Sequence, residues 1–100
     1  MGDLGGEEVV TMDDLVKTDG LYYEKFSHVP FTGKITGNER GSFMYGVKHG
    51  LWVSFHENGR LSQKGTYKNG EKQGYWVWYH ADGTVDANLT GTFKNGEKVD

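Results

Sequence analysis

The chain has no cysteine among its 100 residues, so it uses neither disulfides nor thiolate chemistry, and the redox compartment stays open because exported proteins can also lack cysteine. It has a single proline, Pro30, against 16 glycines. Glycine weakens helices by about 1 kcal/mol relative to alanine, and that composition excludes a helix bundle. No apolar run approaches the roughly 20 residues that span a bilayer, and residues 1 to 20 lack the basic start and apolar centre of a signal peptide. The chain reads as soluble, cytoplasmic as it stands and exported if Met1-Gly2-Asp3-Leu4-Gly5-Gly6 replaced a signal segment. One hundred residues suffice for one domain with a modest core.

Positive charge is scarce at the start of the chain. Residues 1 to 24 hold seven acids and one base, Lys17, whereas residues 25 to 100 hold ten bases and seven acids. A surplus of three cations falls short of the dense basic face that nucleic-acid binding requires.

What the sequence does contain is a repeat. Residues 41 to 64 align without gaps on 65 to 88 at Gly41/Gly65, Gly46/Gly70, Lys48/Lys72, Gly50/Gly74, Trp52/Trp76, Val53/Val77, His56/His80 and Gly59/Gly83. A third copy begins at Gly91, where Gly-Thr-Phe-Lys-Asn-Gly-Glu-Lys matches residues 65 to 72 at seven of eight positions. Fixed self-similarity of this length marks a stacked array in which each unit buries a face against the next. Residues 21 to 40 read as a degenerate copy, 41 to 64 and 65 to 90 as full copies, and 91 to 98 as a partial one. Together they form one domain over 11 to 99, preceded by a disordered or non-native arm over 1 to 10.

Alternating segments between Asn-Gly and Asp-Gly dipeptides predict β-hairpins. The strands fall at roughly 41 to 45, 51 to 56, 61 to 68, 75 to 80 and 85 to 94. The expected fold is mainly β, a single elongated, twisted antiparallel meander. A short N-terminal helix precedes it, capped by Thr11 with Asp14 three residues on and ended by Asp19-Gly20. Parity along the whole chain assigns the odd positions, among them Phe43, Leu51, Val53, Phe55, Leu61, Tyr67, Tyr75, Val77, Val85, Leu89 and Phe93, to the core face. Met44, Trp52, Trp76 and Trp78 then share the even face with His56 and His80. They act there either as lids over strand glycines or as a docking strip for a protein partner.

No catalytic constellation stands out. His56 and His80, one intervening strand apart, lie about 10 Å from each other, too far to share a zinc ion held at about 2 Å. Ser54 and His56 share a strand face but are nearly 7 Å apart, beyond the hydrogen-bond reach of a nucleophile and its base. The glycines punctuate turns and build no phosphate loop. The residues point to no metal and no cofactor, and to no enzyme.

The unit Gly-x-Phe/Tyr-x-x-Gly-x-Lys-x-Gly-x-Trp-Val-x-Phe/Tyr-His-x-Asn/Asp-Gly resembles the MORN-repeat variant family. With Asp14-Leu15-Val16, Asp19-Gly20-Leu21-Tyr22-Tyr23 and Pro30-Phe31-Thr32-Gly33-Lys34, the chain over about 12 to 99 resembles bacterial members known as YwqK-type toxin-antitoxin antitoxins. The resemblance implies an elongated sheet of hairpins with no enzymatic activity. Its partner is a protein, a toxin in the antitoxin case, with self-association as another way to cover the sheet. The alternative is attachment to anionic membrane lipid through the turn lysines Lys48, Lys72, Lys94 and Lys98.

Overall fold

The computed structural model describes residues 8–100. It is mainly β: β1 (Val9–Thr11), β2 (Leu15–Thr18), β3 (Leu21–Glu24), β4 (Gly33–Thr36), β5 (Glu39–Met44), β6 (Val47–Phe55), β7 (Leu61–Lys68), β8 (Glu71–Trp78), β9 (Gly91–Lys94) and β10 (Glu97–Lys98). Eight strands make one sheet in the order β1-β4-β5-β6-β7-β8-β9-β10, and β2 and β3 pair separately. From β4 to β10 the sheet is the expected antiparallel meander. At its edge β1 runs parallel to β4, with Val9 opposite Lys34, which makes the sheet mixed. Val9 and Val10 are therefore ordered by the sheet, whereas residues 1–7 of the expected arm lie outside the described residues.

Four hairpins close through two-residue turns in which both central residues are left-handed: Asp19-Gly20, Tyr45-Gly46, Asn69-Gly70 and Asn95-Gly96, with φ of 50–54° and then 83–87°. These are type I′ turns, whose twist matches that of the strands they join. The Asn58-Gly59 and Asp82-Gly83 dipeptides, expected to do the same, instead sit in wider loops. There only the glycine is left-handed, and the loop is closed by His56 N–H to Arg60 O (2.7 Å) and His80 N–H to Thr84 O (2.7 Å).

The two-residue turn also corrects the assignment of faces. Partners across it, such as Met44 and Val47 or Lys68 and Glu71, differ by three in number, so the parity of a face reverses across each such turn, and between β6 and β7 the register shift at Ser54/Phe55 reverses it again. The buried face runs through odd residues of β5 (Gly41, Phe43), even residues of β6 (Lys48, Trp52), odd residues of β7 (Gly65, Tyr67), even residues of β8 (Lys72, Trp76, Trp78) and odd residues of β9 (Gly91, Phe93). Trp52 and Trp76, expected on the open face, are 2% and 0% exposed. Leu51 and Tyr75, expected in the core, are 59% and 62% exposed, and Val85 and Leu89 are exposed too. Phe43, Tyr67 and Phe93 keep their expected place.

The N-terminal helix is reduced to one 3-10 turn, Met12–Asp14, held by Thr11 N–H to Asp14 Oδ2 (2.9 Å). Helix propagation stops because Leu15 takes an extended conformation and starts β2, and Asp19-Gly20, expected to end a helix, turns β2 into β3. The β2–β3 hairpin folds against one end of the aromatic face. Tyr22 N–H donates to Gly46 O (2.8 Å), Phe31 N–H to Tyr22 O (2.9 Å) and Gly46 N–H to Phe31 O (2.8 Å). This places Tyr22 and Phe31 against Phe43, with ring centroids 4.9 and 5.8 Å away, and buries Leu15 and Ile35 beside them.

Candidate functional site

One row of rings dominates the buried face. Beyond Phe43 it continues through Trp52 (5.3 Å between centroids), Tyr67 (5.9 Å), Trp76 (4.9 Å), Trp78 (5.6 Å) and Phe93 (5.6 Å). The repeat builds the row by juxtaposing tryptophan and glycine. Trp52 lies over Gly41 and Trp76 over Gly65, so closely that a Cβ at either glycine would fall inside the indole. Each indole N–H donates to the carbonyl of the residue after that glycine, Trp52 to Ser42 O and Trp76 to Thr66 O, both at 3.0 Å. These two tryptophans act as lids over strand glycines.

Trp78 differs. It belongs to the second copy alone, is only half-buried, and its indole N–H has no hydrogen-bond partner among the described residues. An indole donor left unpaired beside two satisfied ones is a feature of recognition surfaces, where tryptophan joins apolar area to a polar handle.

The row is covered by lysine side chains, with no second layer of strands over its middle among the described residues. Lys48 Nζ sits 4.8 Å from the Trp52 ring centroid and 5.2 Å from that of Tyr67. Lys72 Nζ sits 5.7, 5.5 and 5.9 Å from the rings of Tyr67, Trp76 and Trp78. Lys17, from β2, places its Nζ 5.5 Å from the ring of Tyr22. Burial pulls the Lys48 ammonium below the ordinary lysine range, an effect that Glu39 opposes and that Lys72 and Lys17 reinforce. Burial also raises the Tyr67 phenol.

The four turn lysines do not form one surface. Lys48 and Lys72 point onto the row, and Lys98, opposite Phe93, occupies the equivalent position in the third copy, where its Nζ donates to Asp100 O (2.9 Å). Lys94 lies one residue from Phe93 in β9 and so projects from the other side of the sheet. Lys17 joins the lysine group in its place. Nothing in the repeat marks Lys17, which stands in the sequence only as the one base of residues 1 to 24.

His56 and His80 serve the loops. His56 Nε2 donates to Tyr79 O (2.8 Å), Asn58 Nδ2 to Ala81 O (2.8 Å) and the Arg60 guanidinium to Asp82 O, so the first loop clips onto the second. His80, in the second loop, is exposed. Among the described residues no three of His, Cys, Asp and Glu come together as metal ligands would, and no helix is long and apolar enough to cross a membrane.

No protein-family model, curated protein or solved structure matches the chain.

Proposed function

We propose that this chain is a non-catalytic recognition module that binds a protein partner along its aromatic row, with Trp78 as the accessible anchor. The observation carrying this reading is the contrast among the three indoles. Trp52 and Trp76 are fully used by the fold, whereas Trp78 is half-buried and its N–H has no partner among the described residues. The resemblance to antitoxin-type proteins supplies the class of partner to try first, a toxin polypeptide neutralised by direct binding. A metal-dependent enzyme, the third and least favoured reading of the sequence, finds no cluster of ligands among the described residues. The membrane reading loses Lys94 to the other face and has Lys48 half-buried.

The test is site-specific photocrosslinking in a lysate of the source organism, with a photoreactive phenylalanine at position 78 or at position 75. Position 75 lies in the same strand and faces the other way. A crosslinked polypeptide from position 78 and none from position 75 is the expected result. Equal crosslinking from both, or none from 78, would remove the row as the binding surface.

A further inference from the structure

The third copy of the repeat holds the seat of a tryptophan lid without the tryptophan. Such a seat has four parts: a strand glycine, the carbonyl of the next residue, an aromatic ring one residue further on, and a lysine opposite that ring. In the first copy these are Gly41, Ser42 O, Phe43 and Lys48, and in the second Gly65, Thr66 O, Tyr67 and Lys72. Trp52 and Trp76 fill the two seats in one geometry. Each indole lies on the glycine, donates to the carbonyl at 3.0 Å and stands edge-on to Phe43 or Tyr67, with centroids 5.3 and 4.9 Å apart. Lysine Nζ then lies 4.8 or 5.5 Å from the indole centroid.

The third copy presents Gly91, Thr92 O, Phe93 and Lys98 in the same order, with Lys98 opposite Phe93. No indole is among the atoms nearest to the place of the missing Gly91 Cβ; those atoms belong to Lys98 and Asp100. Lys98, whose counterparts lie on rings, is folded into the seat and donates to Asp100 O (2.9 Å), while Asp100 Oδ1 accepts from Thr92 N–H (2.8 Å). Both residues are exposed, so water replaces their bonds at little cost when they swing aside. Gly91 is not in the left-handed region, and a strand glycine free of that need marks a place of close approach. Resting on the protein-binding reading above, we propose that the Gly91 seat takes the indole of a tryptophan presented by the partner polypeptide. The first two copies define the occupant: a flat ring on the glycine, its N–H on Thr92 O, its edge against Phe93 and the Lys98 ammonium over its face. The seat adjoins the surface assigned to the partner, since Phe93 lies 5.6 Å from Trp78.

Amide NMR of the isotope-labelled whole chain reads the seat directly. The probes are acetyl-Leu-Trp-Val-Ser-amide, which copies the lid segment of residues 51 to 54, the same peptide with leucine in place of tryptophan, and free indole. The expected result is saturable shifts at Gly91, Thr92 and Phe93 from the tryptophan peptide, at about ten-fold lower concentration than from the leucine peptide or from indole. Gly91→Ala is the site control. A Cβ there meets only the ends of two flexible side chains, so the melting temperature should stay unchanged, while the methyl group holds the indole off the backbone and lowers the affinity about ten-fold. Equal saturation by the leucine peptide, no saturable shift at Gly91, or unaltered affinity in Gly91→Ala would overturn the inference. Indole that matches the peptide would assign the seat to a small molecule and overturn it as a docking point for a polypeptide. If position 78 crosslinks a partner while the tryptophan peptide leaves Gly91 unmoved, the seat falls and the protein-binding reading stands. The comparison of peptides needs no variant to fold.

Discussion

At the scale of single residues the glycines divide by the reason for their presence, and the reasons predict different costs. Gly65 has ordinary backbone angles but no room, because Trp76 occupies the volume of a side chain; Gly74 has open space but φ of +81°. Gly65→Ala should therefore cost about 2–3 kcal/mol by forcing the indole off its seat, and Gly74→Ala about 1 kcal/mol of left-handed strain. Chemical denaturation of the two variants measures both, and the reverse order would contradict the lid geometry. Tyr45 is the converse case, a bulky residue at φ +50° where the other copies have Asn69 and Asn95. Tyr45→Asn keeps the N–H bond to Thr32 Oγ1 (2.8 Å) and should stabilise the chain by about 0.5–1 kcal/mol, because asparagine tolerates the left-handed region better. An unchanged or lower denaturation midpoint would count against this.

Titration belongs to the same scale. Asp14, Asp82 and Asp100 are held below the ordinary aspartate value of 3.8 by hydrogen bonds, from the Thr11 N–H and hydroxyl, from the Thr84 hydroxyl and N–H, and from the Thr92 N–H. A depressed folded-state value means stability that is present above the unfolded value and lost as pH falls through the folded one. Glu24 has the opposite sign. A hydrogen bond with Glu8 raises it, so its contribution is present at low pH and fades as pH rises through the carboxylate range. The melting temperature should thus fall below about pH 4, and Asp82→Asn should flatten part of that fall. An acid limb unaltered by the substitution would show that the Thr84 bonds contribute nothing.

At the scale of the elements, the strands were legible in the sequence and their faces were not. The Asn-Gly and Asp-Gly signals, read with the period, located β5 to β8 to within a few residues. Continuous parity then misplaced Trp52, Trp76, Leu51 and Tyr75, because each type I′ turn shifts the register by an odd number. The apparent helix at Thr11–Asp14 was a cap without a helix, since a capping pair can close a single turn as well as start a longer one. The strand expected over 85 to 94 shortened to Gly91–Lys94. The two residues that lengthen this copy fall in the loop before it, where Asp86 Oδ1 accepts from the N–H groups of Asn88 and Leu89 at 3.0 and 3.2 Å. Of the candidate site, Lys48 and Lys72 were legible as repeat positions, and Trp78 as the indole that only the second copy carries. Lys17 was not, because only the folding of β2–β3 over the row brings it there.

At the scale of the molecule, the chain is a layer 47 × 30 × 24 Å in extent, and each hairpin is tied chiefly to its neighbours. Gly70 N–H donates to Lys48 O (3.1 Å) and Gly96 N–H to Lys72 O (3.0 Å) at the turn end, and the His56, Asn58 and Arg60 clips act at the other. Stability in such an array is a sum of unit and neighbour terms, so opening should begin at an end. Amide hydrogen exchange is expected to be slowest in β6 and β7, flanked on both sides by paired strands, and fastest in β10. Uniform protection across all strands would instead mean that the sheet opens as one unit.

The row of rings makes the protein its own optical reporter. Trp76 and Trp78, 5.6 Å apart and inclined at 32°, are close enough for their excited states to mix, so the folded chain should show a circular-dichroism couplet that no isolated tryptophan gives. Light absorbed by Tyr22 or Tyr67 can pass along the row and leave as indole emission. Anything that settles over Lys72 changes the surroundings of both coupled indoles at once, and occupancy of the row becomes visible without a label.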